Sequence, residues 1–446
     1  MTLDDLRARE YPLLDRQRHV YLDYTAGHLC PASLIERHLA LLKSDILGNP
    51  HSGNPTASRA SEFVDRARRA VLTFFNASAD EWAVIFTSNA THALKLVGES
   101  YPFTPTSEFL LTFDNHNSVN GIREFARAKG AGVTYVPVVL PEMRVDETEL
   151  QGHLDRLGSG GHRLFAYPAQ SNFSGVQHPL EWIERAKKNG WDVLLDAAAF
   201  TPANRLDLGR WRPDFVVQSF YKMFGYPTGV GCLIARRDGL AKLHRPWFAG
   251  GTITVASVQG DKFYLAEGEA GFEDGTPNYL ALPAIEMGLE YLSGIGIETI
   301  HARVRDMTGR LIHRLVRLQH ANGRPLARIF GPRSTDRRGG TVTFNFYDRD
   351  GHAIDHRLVE EHASAANISL RTGCFCNPGG GEIALGITGT ELSSCFRQPE
   401  HETHLTIDDF RLCIDGKSTG AVRVSIGLVT NDADVSAFIT LARRFL

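Results

Sequence analysis

Long apolar runs are missing from this chain. No stretch approaches the roughly twenty residues a membrane helix needs, and the N-terminus, MTLDDLRAREYPLLDRQ, is charged where a secretory signal would be apolar. These absences predict a cytoplasmic protein without a membrane partner. Cysteine is scarce too: the six (Cys30, Cys232, Cys374, Cys376, Cys395 and Cys413) are too few for a disulfide scaffold and fit a reducing compartment. A strong excess of either charge is also absent. The net charge of -3 supplies no global field to draw nucleic acid, so no nucleic-acid partner is expected. No internal repeat is visible, and 446 residues suffice for a sizeable core.

What is there is alternation. From about residue 80, short apolar runs, small-residue turns and helix-period segments succeed one another, the pattern of a mostly parallel sheet covered by helices. In WAVIFTSNATHALKLVGES, Val84 to Thr87 predict a strand, Ser88 to Thr91 a turn and cap, and Ala93 onward a helix. DVLLDAAAF, DFVVQSF and GVGCLIARRD predict further buried strands ending in small or polar residues. In open α/β sheets ligands collect at those carboxyl ends. After about residue 285, a long amphipathic segment, the strand GTVTFNFYD, a helix around His356 to Ala365 and a final strand and helix predict a smaller α+β domain. GSGG at 158–161 and the stretch from Gly379 to about Gly420 read as flexible insertions.

Lys222 directly follows the strand in QSFYKMFG, among aromatic residues whose desolvation would lower its pKa, as a Schiff-base amine requires. Taken alone, such a lysine is more often a snorkelling strand-end group. Asp196 ends LLDAAAF as a carboxylate in apolar sequence, in want of a cationic partner. An aspartate on a pyridine nitrogen and a lysine on an aldehyde form the pairing that pyridoxal phosphate demands. Asn89, Ala90 and Thr91 bring a hydroxyl and backbone N–H groups to a helix N-terminus, a ready phosphate site. His116, in FDNHNSVNG, follows another apolar run and is a candidate to lie over a flat ring, although a lone loop histidine is more often polar surface.

RTGCFCNPGGG at 371–381 sets two cysteines one residue apart beside glycines that argue against regular structure. A metal site, a disulfide and a reactive thiol all have to be weighed. Cys-x-Cys is not the usual zinc spacing, no second pair completes four ligands, and His401-Glu402-Thr403-His404 lacks the separation that puts two histidines on one helix face. No metal is expected. Cys30, Cys232 and Cys413 are expected as buried small hydrophobes, and Cys395 is a candidate sulfur relay.

YLDYTAGHL (21–29), GNPHSGNP (48–55), FTSNATHALKLV (86–97), YPAQSNFSG (167–175), LLDAAAF (194–200), QSFYKMFGYPTGVG (218–231), FEDGTPNYLAL (272–282), RTGCFCNPG (371–379) and GAVRVSIG (420–427) resemble, in that order, class V pyridoxal-phosphate enzymes. More narrowly they resemble the cysteine-desulfurase domain of molybdenum cofactor sulfurases, over roughly residues 18 to 440. The resemblance implies a type I α/β fold. It has a large domain at 18–290 with a mostly parallel seven-stranded sheet and a smaller α+β domain at 1–17 and 291–446 that carries the cysteine loop 371–381.

It also implies pyridoxal 5'-phosphate as cofactor. Lys222 would bond the aldehyde, Asp196 would pair with the pyridine nitrogen and His116 would stack on the ring. Thr91, Ser219 and the N–H groups of the Asn89–Ala90 turn would hold the phosphate. Gln170 and Asn172 fall where the family contacts the phenolic oxygen or the substrate. Thr276 matches a residue that reaches the phosphate of a neighbouring subunit, so a homodimer is implied. Arg423 would clamp the substrate carboxylate, with Arg371 as a second arginine. In related motifs resembling R-x-G-H-H-C the nucleophile lies five residues after the arginine, which makes Cys376 the nucleophile and leaves Cys374 without a role. The glycines would form the hinge of a swinging loop.

The activity implied is transfer of sulfur from L-cysteine to Cys376 as a persulfide, with release of alanine. Where sulfurase motifs continue NPGAC this chain has NPGGG, and eukaryotic sulfurases carry a further molybdopterin-binding domain. The acceptor thus lies between a molybdopterin cofactor, a biosynthetic intermediate and a carrier protein. The alternative is a C–S lyase or another class V enzyme acting on a cysteine conjugate or amino acid, which needs no loop thiol.

Overall fold

The computed structural model describes residues 2–156, 158, 160–397, 405, 406, 409 and 419–446. Its main sheet has seven strands in the spatial order Trp82–Thr87, Gly231–Arg236, Phe215–Ser219, Asp192–Asp196, Arg163–Pro168, Glu108–Thr112 and Gly132–Val136. Gly231–Arg236 runs antiparallel to both neighbours, and the other pairings are parallel. Six strands therefore end at one edge. Alternation along the strands explains why both faces are covered: Val84 and Phe86 enter one apolar cluster, Ala83 and Ile85 the other.

The first cluster continues without a break into a second, antiparallel sheet, ordered Ala327–Phe330, Thr341–Phe346, Ala421–Ser425 and Arg371–Gly373, through Val342, Phe344, Val422 and Val424. The amphipathic segment before it is two helices, Pro283–Ile295 and Ile297–Leu315, parted by Gly296 at φ 89°, a conformation that favours glycine. The start of the chain is stitched to this later part. Val20–Tyr21 pairs in parallel with Ile368–Ser369, Asp23 bridges to Ser425, and Arg7 donates to Asp434 at 2.6 Å.

Two expectations are corrected here. The first part of the stretch expected as an insertion from Gly379 to about Gly420 is helical instead: Pro378–Leu385 is a helix, its first-turn donor at Gly380 capped by the Asn377 side chain at 2.9 Å, and Gly389–Phe396 is another, while most of the stretch beyond residue 397 lies outside the described residues. Gly379, Gly380 and Gly381 are buried. They permit close approach rather than bending, since a Cβ on Gly379 would lie 2.0 Å from Phe113 O. Cys395 is disulfide-bonded, which removes the thiol a relay needs. Cys232 is buried as expected, while Cys30 is half-buried; Cys413 and the 401–404 histidine pair lie outside the described residues. Among the described residues no helix is long and apolar enough to cross a membrane.

Candidate active site

The carboxyl ends of five parallel strands deliver Ser88 and Asn89, Asp114 to His116, Gln170 to Asn172, Asp196, and Ser219 to Lys222 to the same edge of the sheet. A cavity of about 350 Å³ opens there, lined among others by Asn89, Thr91, His116, Asp196, Ser219 and Lys222. Surface hollows of about 540 and 660 Å³ lie elsewhere and are lined by none of these groups, so chemistry rather than size marks the site.

One end of the cavity suits a phosphate. Helix Ala90–Ser100 begins there, with Asn89 Oδ1 accepting from His92 N–H at 2.9 Å. Ala90 N–H donates to Ser219 Oγ at 2.8 Å, and the Thr91 and Ser118 hydroxyls are 2.8 Å apart. Three hydroxyls thus meet the positive end of a helix macrodipole. Asp196, whose Oδ1 accepts from Ala198 N–H at 3.0 Å, supplies the opposite sign to the cavity. A phosphate, a flat ring with a protonated nitrogen and an aldehyde within reach of an amine would all find partners, and the volume suits a small phosphorylated ring.

Lys222 is held below the ordinary lysine pKa by burial, with Arg423 acting in the same direction, while Asp196 and Cys376 oppose the shift. His116 is lowered as well, by burial first, then by Lys222 and Arg423. Its Nδ1 accepts from Ser118 N–H at 3.1 Å, which leaves the proton of the neutral ring on Nε2. Lysine, imidazole, aspartate, arginine and thiol therefore share one electrostatic neighbourhood.

The cysteine loop is fastened rather than free. Phe375 and Cys376 both adopt left-handed φ values, 58° and 54°, a strained pairing for residues with side chains. Asn172 Nδ2 donates to Phe375 O at 2.7 Å, and Asn117 N–H, at the start of the His116 helix, donates to Cys376 O at 2.7 Å. The buried Asn377 donates to Asp114 O at 2.7 Å and to Asn172 Oδ1 at 2.9 Å. Phe375 packs between Phe173 and the Arg423 guanidinium, which lies 4.6 Å from its ring centre. The Cys374 and Cys376 side chains stay exposed, so a fixed backbone presents an open thiol.

Arg423 is buried, and desolvation lowers its pKa to about 10, which leaves it protonated at neutral pH. Its Nη1 donates to Asn172 O at 3.0 Å and its Nη2 to Asp23 Oδ1 at 3.4 Å, while Nε has no hydrogen-bond partner. Arg371 is half-exposed and pairs with Asp23 through Nη2 at 2.7 Å.

The two remaining sequence candidates sit apart. Gln170 lines a separate small hollow with Ala198 and Ala199, its Oε1 accepting from Gln177 Nε2 at 3.1 Å. Thr276 is exposed, outside the cavity, its hydroxyl accepting from Asn49 Nδ2 at 3.2 Å. Sequence reasoning missed Ser118, Asn377 and Asp23 as parts of the site. For the last two the signal was available, since they lie inside the quoted RTGCFCNPG and YLDYTAGHL motifs.

The family model for aminotransferase class V matches residues 20–438. The molybdenum cofactor sulfurase of Solanum lycopersicum is 38 % identical over 98 % of this chain and 56 % of its own length; that of Homo sapiens is 36 % identical over 98 % and 51 %. The chain thus spans about half the length of the curated relatives it matches. Among solved structures, a cysteine desulfurase from Thermococcus onnurineus aligns with a TM-score of 0.80 at 22 % identity, covering 99 % of this chain and 97 % of that one. One from Escherichia coli aligns at 0.77 and 21 %, covering 100 % and 98 %. With a family model covering nearly its whole length and a lysine–aspartate cavity at the strand ends, the chain belongs to the class-V aminotransferase family of pyridoxal-phosphate-dependent enzymes.

Proposed function

We propose that the chain is a cysteine desulfurase of the molybdenum cofactor sulfurase kind, which moves the sulfur of L-cysteine to Cys376 and releases alanine. The observation that carries this reading is the convergence of Asp196, Arg423 and Cys376 on the Lys222 amine. A lyase, epimerase or aminotransferase needs the lysine, the aspartate and the arginine but has no use for the thiol.

Asn89, Ala90, Thr91 and Ser219 would hold the cofactor's phosphate, Asp196 its ring nitrogen, Lys222 its aldehyde and His116 its ring face. When bound, the cofactor withdraws electrons from the substrate amine and makes the Cα proton acidic. Arg423 binds the carboxylate and fixes which Cα bond faces Lys222. The lowered pKa of Lys222 increases the fraction of neutral amine available to take that proton. The Cys376 thiolate then attacks the substrate sulfur. An S–S bond forms as the C–S bond breaks, and the released electron pair stays on carbon, which gains a proton to give alanine. Asn172 and Asn377 hold the loop for this attack.

Residues 18–290 are taken as the cofactor-binding domain and 1–17 with 291–446 as the smaller one, a division supported by the Arg7–Asp434 pair. A homodimer is the expected state, supported by an exposed Thr276 that its own cavity does not use. From the names of the relatives, the acceptor is expected to be a molybdenum cofactor, with a carrier protein as the other candidate.

The test is to incubate purified protein with L-cysteine and a reductant and to follow alanine and sulfide. Wild type should form alanine, whereas Cys376→Ala and Lys222→Ala should not, and the yellow absorbance should depend on Lys222. Alanine formation that survives loss of Cys376 would remove the persulfide step. Pyruvate in place of alanine would establish the lyase alternative.

A further inference from the structure

Arg371 and Arg423 face each other across an antiparallel strand pair. Like charges placed directly opposite repel, and Asp23 lies between them. Its Oδ2 accepts from Arg371 Nε at 3.0 Å and Nη2 at 2.7 Å, and its Oδ1 accepts from Arg423 Nη2 at 3.4 Å. The carboxylate is buried and its backbone is fixed, since Ser425 N–H donates to Leu22 O at 2.7 Å and Thr25 N–H to Ser425 Oγ at 2.9 Å. Arg423, 3 % exposed, keeps an unpartnered Nε. Its fork therefore has donor capacity left for a ligand, although one resident anion already leans on it. Tyr21, whose hydroxyl is pushed up to about 12 by burial and by Asp23, adds no charge at neutral pH.

We propose that Asp23 is a specificity-determining residue that limits this pocket to one carboxylate. Two arginines and one aspartate leave the cluster a single positive charge, which a monoanionic amino acid such as L-cysteine neutralises and a dianion overfills. The proposal rests on the reading of Arg423 as the carboxylate site. Removal of the Asp23 charge leaves two positive charges and favours a dianion; removal of Arg371 leaves none and disfavours it further.

The test is titration calorimetry of the cofactor-loaded protein with 3-mercaptopropionate, which has one carboxylate, and mercaptosuccinate, which has two. Neither carries the amine needed to react as a substrate. Wild type should prefer the monocarboxylate. Asp23→Asn should move the ratio of the two Kd values toward the dicarboxylate by about tenfold or more, the size expected for one partly screened charge at close range. Arg371→Ala should move it the other way, and it carries the test if the first variant does not fold. A merely structural loss would weaken both ligands equally, so a ratio unchanged in the folded variants overturns the role of Asp23 and leaves Arg423 standing. Failure of 3-mercaptopropionate to bind wild type overturns both.

Discussion

His28 and Lys222 are both held below their ordinary pKa by burial, but only Lys222 reaches the chemistry. His28 packs edge-on against Tyr24 at 5.1 Å and is lowered to about 4 by desolvation alone. An unfolded chain binds a proton at this position near pH 6.5 and the folded one near 4, so stability is lost as the pH falls through that window. Relative to His28→Phe, wild type should lose on the order of 2 kcal/mol between pH 6.5 and 4. Denaturant unfolding at several pH values measures this, and parallel curves for the two proteins would mean that the imidazole is not kept neutral by the fold. At this scale the sequence was readable where a residue's place in the cavity follows from its position after a strand. Lys222, Asp196 and Thr91 are such cases. Asp23 stands inside the quoted YLDYTAGHL motif, but its pairing was not readable, because its partners lie 348 and 400 positions away.

Elements show what glycines mean. Composition alone suggested a hinge after Cys376, whereas helix Pro378–Leu385 uses its glycines to approach Phe113 and Phe173. A sequence does not distinguish glycine kept for freedom from glycine kept for closeness until the neighbouring segment is known. Gly379→Ala should therefore cost at least about 2 kcal/mol through overpacking. Gly389→Ala, in open space at the start of its helix, should be neutral or stabilise by up to about 1 kcal/mol. Thermal or denaturant midpoints of the two variants make the comparison, and equal effects would restore the hinge. Asn377 deserves its own test as the cap of that helix and the anchor of the thiol loop. Asn377→Ala should leave cofactor absorbance intact yet slow alanine formation by about tenfold or more, since small misplacements of reacting groups are costly. Faster amide exchange over 372–381 should accompany it. An unchanged rate would show that the loop positions itself.

At the scale of the whole molecule, the described residues include an apolar cluster that this chain leaves bare. The hairpin Ile253–Ser257 and Lys262–Leu265 exposes Val255 and Tyr264, with Val258 fully exposed at its turn and Trp247 and Phe248 nearby. Such a cluster on an isolated two-stranded ribbon suits a subunit contact. Under the proposed homodimer, a Val255→Asp, Tyr264→Asp double variant should sediment as a monomer while wild type sediments as a dimer. A variant that remains dimeric would put the contact elsewhere. At this scale a mostly parallel sheet was legible in the repeated apolar runs, while the spatial order of its strands and the antiparallel run of Gly231–Arg236 were not. The seam between the first residues and the last strand was not, because nothing local in YLDYTAGHL announces its partner.

That seam also sets an order on synthesis. Lys222, Asp196 and the turn at Asn89–Thr91 lie between residues 89 and 222, so most of the cavity lining is made in the first half of the chain. Asp23 is made earlier still but waits for Arg371 and Arg423, some 400 codons later, before its charge is matched. Cys376 emerges after Asn117 and Asn172, which hold its loop from one side, and before Asn377 and Arg423, which complete that hold.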